Sequence, residues 1–222
     1  MTNVQSGSDI SVEKSRDPMA GSTAVARETV SALAGSIADP APLGLGGFAL
    51  TTFVLSCVNA GWVQKGTEPI VLGLALAYGG LAQLLAGMWE FKKGNTFGAT
   101  AFASYGAFWI SFWAFVVFYA GKVPKADATQ AVGLYLFAWG IFTAYMWIAS
   151  FKTTAAVNIV FFLLTITFFL LAFGEWGTSS GLSELGGYFG LVTALAAWYA
   201  SFAGVINSTF GKVVLPTKPL HG

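Results

Sequence analysis

The sequence predicts an all-α membrane protein: six transmembrane helices in a compact bundle, with both termini cytoplasmic. Three observations carry that prediction. Of the 222 residues, 55% are hydrophobic and only 9% are charged, and the mean hydropathy is +0.68; a chain so composed lacks the polar surface a soluble protein of its length needs. Apolar runs long enough to cross a bilayer recur along the chain. Lys and Arg gather on one side of the topology those runs define. The formal net charge of +1 points to neither a nucleic-acid face nor an acidic tail, and the single Cys57 can form no disulfide within the chain.

Residues 1–38 read as a cytosolic tail. The first 20 carry Asp9, Glu13, Lys14, Arg16 and Asp17 and no apolar core of the signal-peptide kind, so they are expected to be disordered. Over 22–38, Val30, Leu33 and Ile37 recur at helical spacing while Arg27 and Glu28 fall elsewhere. Either a short helix in the membrane interface or a solvated linker fits that pattern.

At Asp39 the polar leader gives way to "DPAPLGLGGFALTTFVLSCVNAG". Asp39 is expected to act as an N-cap, and Pro40 and Pro42 suit a first turn, where backbone donors go unused. From Leu43 to Gly61 there are 19 uncharged residues, about 30 Å of helix and so one membrane span. Phe48, Thr52, Ser56 and Asn59 share one face of it. Five further spans are predicted at about 69–90, 97–120, 130–151, 154–174 and 187–207, so that 39–211 forms one transmembrane domain and 212–222 a C-terminal tail.

Lys14, Arg16, Arg27, Lys92, Lys93, Lys152, Lys212 and Lys218 then lie on the side of the N-terminus, against Lys65, Lys122 and Lys125 on the other, which makes both termini cytoplasmic. The sequon Asn207-Ser208-Thr209 falls on that same side and reads as a chance match. Small residues such as Gly73, Ala77, Gly80 and Gly87 on the second span, and Gly190, Ala194, Ala197, Ser201 and Gly204 on the sixth, form ridges where backbones approach closely. Aromatic faces such as that of Phe108, Phe112 and Phe115 meet lipid or neighbouring subunits.

Missing chemistry narrows the function. No Arg, Lys or His lies well inside a span, and the only His is His221, near the C-terminus. No metal site, cofactor site or nucleic-acid surface is expected, and neither a phosphate-binding loop nor a Ser, His and Asp set is available for a membrane enzyme. What the spans hold is a thin supply of neutral polar groups among many rings: Thr52, Ser56, Asn59, Gln83, Ser104, Tyr105, Asn158, Thr165 and Asn207. Each either bonds across helices or lines a wet path for a small solute. Glu90, seven residues after Gln83 and on its face, is either an interfacial partner of Lys92 or Lys93 or a proton-linked group.

The opening of the first span, with Asp39, Pro40, Ala41, Pro42, Leu43 and Gly44, resembles the signature of the acetate uptake transporter family, also called the GPR1/FUN34/YaaH family. "AYGGLAQLLAGMWEFKKGNTFGATAFASYGAFW", from Ala77 to Trp109, is similar to that family's second and third spans, and "STFGKVVLP", from Ser208 to Pro216, to its C-terminal motif. The resemblance implies a multi-pass plasma-membrane protein, surrounded by lipid and assembled as a homo-hexamer with one pore per subunit, that moves acetate and related carboxylates such as succinate. It also implies a constriction formed by Phe48, Tyr105 and Leu164. Asp39 stands where the family has Asn, and its charge would offset the attraction of a helix N-terminus for an entering anion. A channel and a proton symporter both fit. Outside that class stand a transporter of ammonia or urea, and a membrane sensor or scaffold.

Overall fold

The computed structural model describes Thr29 and residues 37–220. Of the helix expected over 22–38, all but Thr29 and the last two residues lies outside the described residues, as do the rest of the N-terminal tail and His221 and Gly222.

Six helices are each long and apolar enough to cross a membrane: α1 (Ala41–Asn59), α2 (Lys65–Lys93), α3 (Thr96–Lys122), α4 (Ala128–Ser150), α5 (Ala155–Trp176) and α6 (Ser180–Phe210). The chain is an all-α membrane protein, and among the described residues no β-strand forms. With six crossings, the start of α1 and the end of α6 lie at one end of the bundle, here called the terminal end. That end carries Lys92, Lys93, Lys152, Lys212 and Lys218 against Asp39 and Glu90, whereas the opposite end carries three lysines against four carboxylates, Glu68, Asp127, Glu175 and Glu184.

Three boundaries have local causes. Asp39 is not the N-cap: Pro40 holds that position, and its carbonyl accepts the N–H of Gly44. The Asp39 carboxylate instead accepts the N–H of Ala41 at 3.2 Å and pairs with Lys93 at 2.8 Å. Helix α2 ends at Gly94, whose φ of +80° closes a left-handed cap that few side chains tolerate. Helix α6 starts at Ser180 rather than 187, because the Ser179 hydroxyl accepts the N–H of Leu182 and so caps a glycine-rich stretch that would otherwise read as a loop.

The helices pack in chain order, α1 to α2, α2 to α3, α4 to α5 and α5 to α6, and α6 closes the circle against α1. Small residues set the tightest approaches. A Cβ at Gly87 of α2 would stand 2.6 Å from the backbone nitrogen of Ala103, and one at Gly106 of α3 would stand 2.7 Å from that of Leu84. Between α3 and α4 the contact is made mostly by rings, Tyr105 with Trp139 and Phe142, and Phe108 with Tyr135 and Trp139, so Phe108, expected to face lipid or a neighbouring subunit, is instead buried in the core. Helix α4 presents Leu134, Ile141 and Ile148, spaced by sevens, to the outside. Helix α2 is interrupted by a π-helical stretch, Ala77–Ala82, and a second one, Phe115–Tyr119, lies late in α3.

Because the Gly87 contact is backbone against backbone, Gly87→Ala should destabilise the bundle by about 1–3 kcal/mol. A thermal melt in detergent that matches the parent would remove this contact from the determinants of the fold.

A narrow aromatic passage as candidate pore

The glycine run of α1 brings its inner face against three other helices. Gly44 sits under the Phe102 ring, and Gly47 meets the carbonyl of Tyr78 in the π stretch. The Ser201 hydroxyl of α6 donates to the carbonyl of Pro42 at 2.6 Å. Pro42 also lies over Gly204, where a Cβ would stand 2.7 Å from its ring. The proline-rich opening of α1 is therefore a packing joint between α1, α3 and α6. Its acidic residue is paired with Lys93, so that carboxylate does not stand as an uncompensated charge.

Inside the circle lies a cavity of about 20 Å³ lined by Leu45 and Phe48 from α1, Gln83 from α2, Ala101, Phe102 and Tyr105 from α3, and Val160, Phe161 and Leu164 from α5. That volume holds about one water molecule. Phe48, Tyr105 and Leu164, assigned to one constriction from the resemblance, thus meet at a single cavity. The Phe48 and Tyr105 rings lie 5.8 Å apart, and Phe161 lies 6.0 Å from Tyr105 on the other side. The Tyr105 hydroxyl is 2.9 Å from Thr143 Oγ1. Thr143 spends its one proton on the carbonyl of Trp139 at 2.7 Å, so Tyr105 donates and Thr143 accepts. The phenol is held from α4 and turns its ring to the cavity.

Gln83 is the one amide in the lining. It is 1% exposed and its Oε1 has no partner. It follows directly on the π stretch, whose extra residue per turn re-aims the side chains after it, and such stretches are frequent at functional sites.

The other polar candidates separate. Thr52, one turn beyond Phe48, is buried with its hydroxyl unpartnered, but does not line the cavity. The Ser56 hydroxyl packs onto Gly190 of α6 and is outside the cavity lining. The Asn158 amide donates to Ser150 Oγ at 2.8 Å and ties α5 to α4, one of the two roles the sequence left open. Asn59 and Ser104 are half-buried and outside the lining. For Glu90 the ion-pair reading is corrected. The residue makes no ion pair with Lys92 or Lys93; it is fully buried, accepts from Asn95 Nδ2 at 2.9 Å through Oε2, and leaves Oε1 unpartnered. Asn95 also caps α3, its Oδ1 accepting the N–H of Gly98 at 3.1 Å.

Five lining residues, Leu45, Ala101, Phe102, Val160 and Phe161, were missed from the sequence. They lie three or four positions before Phe48, Tyr105 and Leu164, so helical spacing from those three would have found them.

The fold and the cavity together define a multi-pass membrane protein with a small, aromatic-walled cavity inside a six-helix bundle. The model of the GPR1/FUN34/yaaH family matches residues 23–222, and the chain belongs to that family. It is 40% identical over 185 residues to the succinate-acetate/proton symporter SatP of Escherichia coli (strain K12), covering 83% of this chain and 97% of that protein. To accumulation of dyads protein 2 of Saccharomyces cerevisiae it is 44% identical over 189 residues, covering 82% of this chain and 66% of the yeast protein. The solved structure of the bacterial acetate channel SatP superimposes with a TM-score of 0.77 at 40% identity, covering 82% of this chain and 99% of that one.

Two outcomes test these contacts. Thr143→Val removes the acceptor of a buried phenol and should cost about 1–3 kcal/mol, read as a lower melting temperature. Asn95→Ala should cost more than Glu90→Gln, because it removes a helix cap worth about 1 kcal/mol and strands a buried carboxyl, whereas Gln keeps an acceptor for Asn95. A larger loss in Glu90→Gln would refute the assigned geometry.

Proposed function

We propose that this chain carries acetate and related small carboxylates, succinate among them, across the plasma membrane through a channel-like path in each subunit of a homo-hexamer, and that it is not an enzyme. The observation that supports the reading most is the convergence of Phe48, Tyr105 and Leu164 with the amide of Gln83 on one cavity. The Escherichia coli relative, a succinate-acetate/proton symporter, and the solved acetate channel support the same solutes. A passage this narrow is closed to a four-heavy-atom solute, so conduction requires the rings to part. The apolar collar strips solvent from a carboxylate, which is costly unless a hydrogen bond replaces it, and Gln83 offers an N–H donor to the anion or an acceptor to the acid. Thr52 is proposed to line the path beyond the collar.

The five lysines against two carboxylates at the terminal end support cytoplasmic termini. On this reading residues 39–211 are the transport domain, and 1–38 and 212–222 are cytoplasmic extensions. The outward face of Leu134, Ile141 and Ile148 is available to lipid or a neighbouring subunit.

A second reading, proton-coupled symport, is favoured by one observation: a fully buried carboxyl, Glu90, with one oxygen unpartnered. Purified protein in liposomes separates the two. Under the channel reading, Glu90→Gln keeps acetate flux driven by an inward proton gradient; its loss, with exchange at equal pH intact, would establish the symporter.

The collar is tested by Leu164→Ala and Phe48→Ala. Shortening a constriction residue lowers a steric and dewetting barrier and should raise acetate flux or admit lactate. In a packing residue the same change costs about 2–5 kcal/mol and gives no gain. A fall in melting temperature in both variants, with neither faster flux nor wider substrate range, would remove the constriction.

A further inference from the structure

The motif from Ser208 to Pro216 has no part in the passage, yet it and the residues after it are among the most heavily tethered in the molecule. Beyond the left-handed cap at Gly211, with φ +65°, the chain turns back along the terminal end as an extended strap. Asn207 holds it with three hydrogen bonds: Nδ2 donates to the carbonyl of Leu215 at 2.8 Å, and Oδ1 accepts the N–H groups of Val214 at 2.7 Å and Leu215 at 2.9 Å. The Tyr199 hydroxyl donates to the carbonyl of Pro216 at 2.7 Å.

The strap then pairs antiparallel with the α4–α5 corner through a bridge between Thr154 and Pro219. Ala155 N–H donates to the carbonyl of Lys218 at 2.8 Å, and Leu220 N–H to that of Thr153 at 3.0 Å. Lys218 takes a φ of +51° to make this pairing, a left-handed conformation that a non-glycine residue adopts at a cost.

This fastening sets Lys152 and Lys218 at one corner, with Lys212 at the start of the strap. Lys152 immediately precedes Thr153, Lys218 is next to the bridge, and Lys212 opens the strap. All three are exposed. Among the described residues the only ion pair is Lys93 with Asp39, so none of the three is neutralised. Beside them, Phe151 is 51% exposed, Phe210 63% and Val213 78%. Apolar side chains flanked by unpaired lysines, at the end of a transmembrane bundle, have the chemistry of the bilayer boundary: the rings and Val213 enter the acyl region while the ammonium groups reach the headgroups. Because the strap is fixed to α5 and α6, little ordering is needed to present the three charges together.

We propose that the strap and the α4–α5 corner form a built docking surface for anionic phospholipid, with the phosphates bound by Lys152, Lys212 and Lys218. Its occupant is the membrane itself, chosen by charge complementarity. The surface is separate from the passage, so it acts on residence and stability in the bilayer.

The test is retention of phosphatidylglycerol over phosphatidylcholine by the full chain, followed by native mass spectrometry and by melting temperature with each lipid added. Each lysine near an anionic surface contributes about fivefold in binding. K152Q/K212Q/K218Q should therefore lose the preference by well over tenfold while melting as the parent does in neutral detergent. K152Q/K212Q, which leaves the left-handed Lys218 in place, should lose an intermediate share. Asn207→Ala keeps every charge but unfastens the strap, and should also weaken the preference. Retention of the parent's preference by the triple variant would overturn the proposal. So would parental binding in Asn207→Ala, which would make the built surface irrelevant, or stabilisation by inorganic phosphate equal to that by the lipid, which would mark a soluble-anion site.

Discussion

The bilayer offers no water to a polar group, so each one in a span must find its partner within the protein. Hydroxyls can do this without help, by bonding to their own helix. Thr51 donates to Gly47, Thr143 to Trp139, Thr165 to Phe161, Thr167 to Leu163 and Thr193 to Phe189, each one turn back along the chain. A Thr so satisfied has no proton left to offer, though its oxygen still accepts, as Thr143 accepts the Tyr105 phenol of α3. Amides and carboxyls cannot close on themselves so easily, and those left incomplete stand out. Gln83 at the cavity and Glu90 at the α2–α3 corner each keep a buried oxygen unpartnered. Among the described residues Thr52 is the one fully buried hydroxyl without a partner, and self-satisfaction of the others concentrates the chemistry of a very apolar interior onto a few positions.

The same constraint explains what could be read from the sequence. Six spans follow from composition and length alone, since hydrocarbon leaves the backbone few choices. The end of α2 was expected at Glu90 and falls at Lys93, where Gly94 closes a left-handed cap. The role of an intramembrane Asn was not legible: Asn158 is spent on Ser150 because α4 brings that hydroxyl within reach, and no spacing along α5 encodes it. Ser56 likewise looks like part of a polar face until Gly190 of α6 is seen against it. Glu90 beside two lysines reads as an ion pair in one dimension. In three, Lys93 turns to Asp39, and the carboxyl is left to Asn95. The strap was illegible for a related reason, since its pairing with the α4–α5 corner joins backbone groups more than sixty positions apart.

The proline-rich opening of α1 takes its meaning from packing. Pro42 is held by Ser201 and covers Gly204, Gly44 admits the Phe102 ring, and Asp39 links the start of α1 to the end of α2. One short motif thereby fixes α1 against α2, α3 and α6, and so places Leu45 and Phe48 on the cavity wall. Its contribution is the position of the wall, at the level of packing.

Tyr105 is anchored on α4, which supplies no residue to the cavity lining and shows an apolar stripe to the outside. A ring of the cavity wall is thus hung from the helix least buried within the bundle. Any sideways squeeze or shift of α4, from lipid chains of another length or from an adjoining subunit, pulls on the phenol through Thr143. A ring of the cavity wall is in this way coupled to the lateral mechanics of the bilayer through one hydrogen bond between helices.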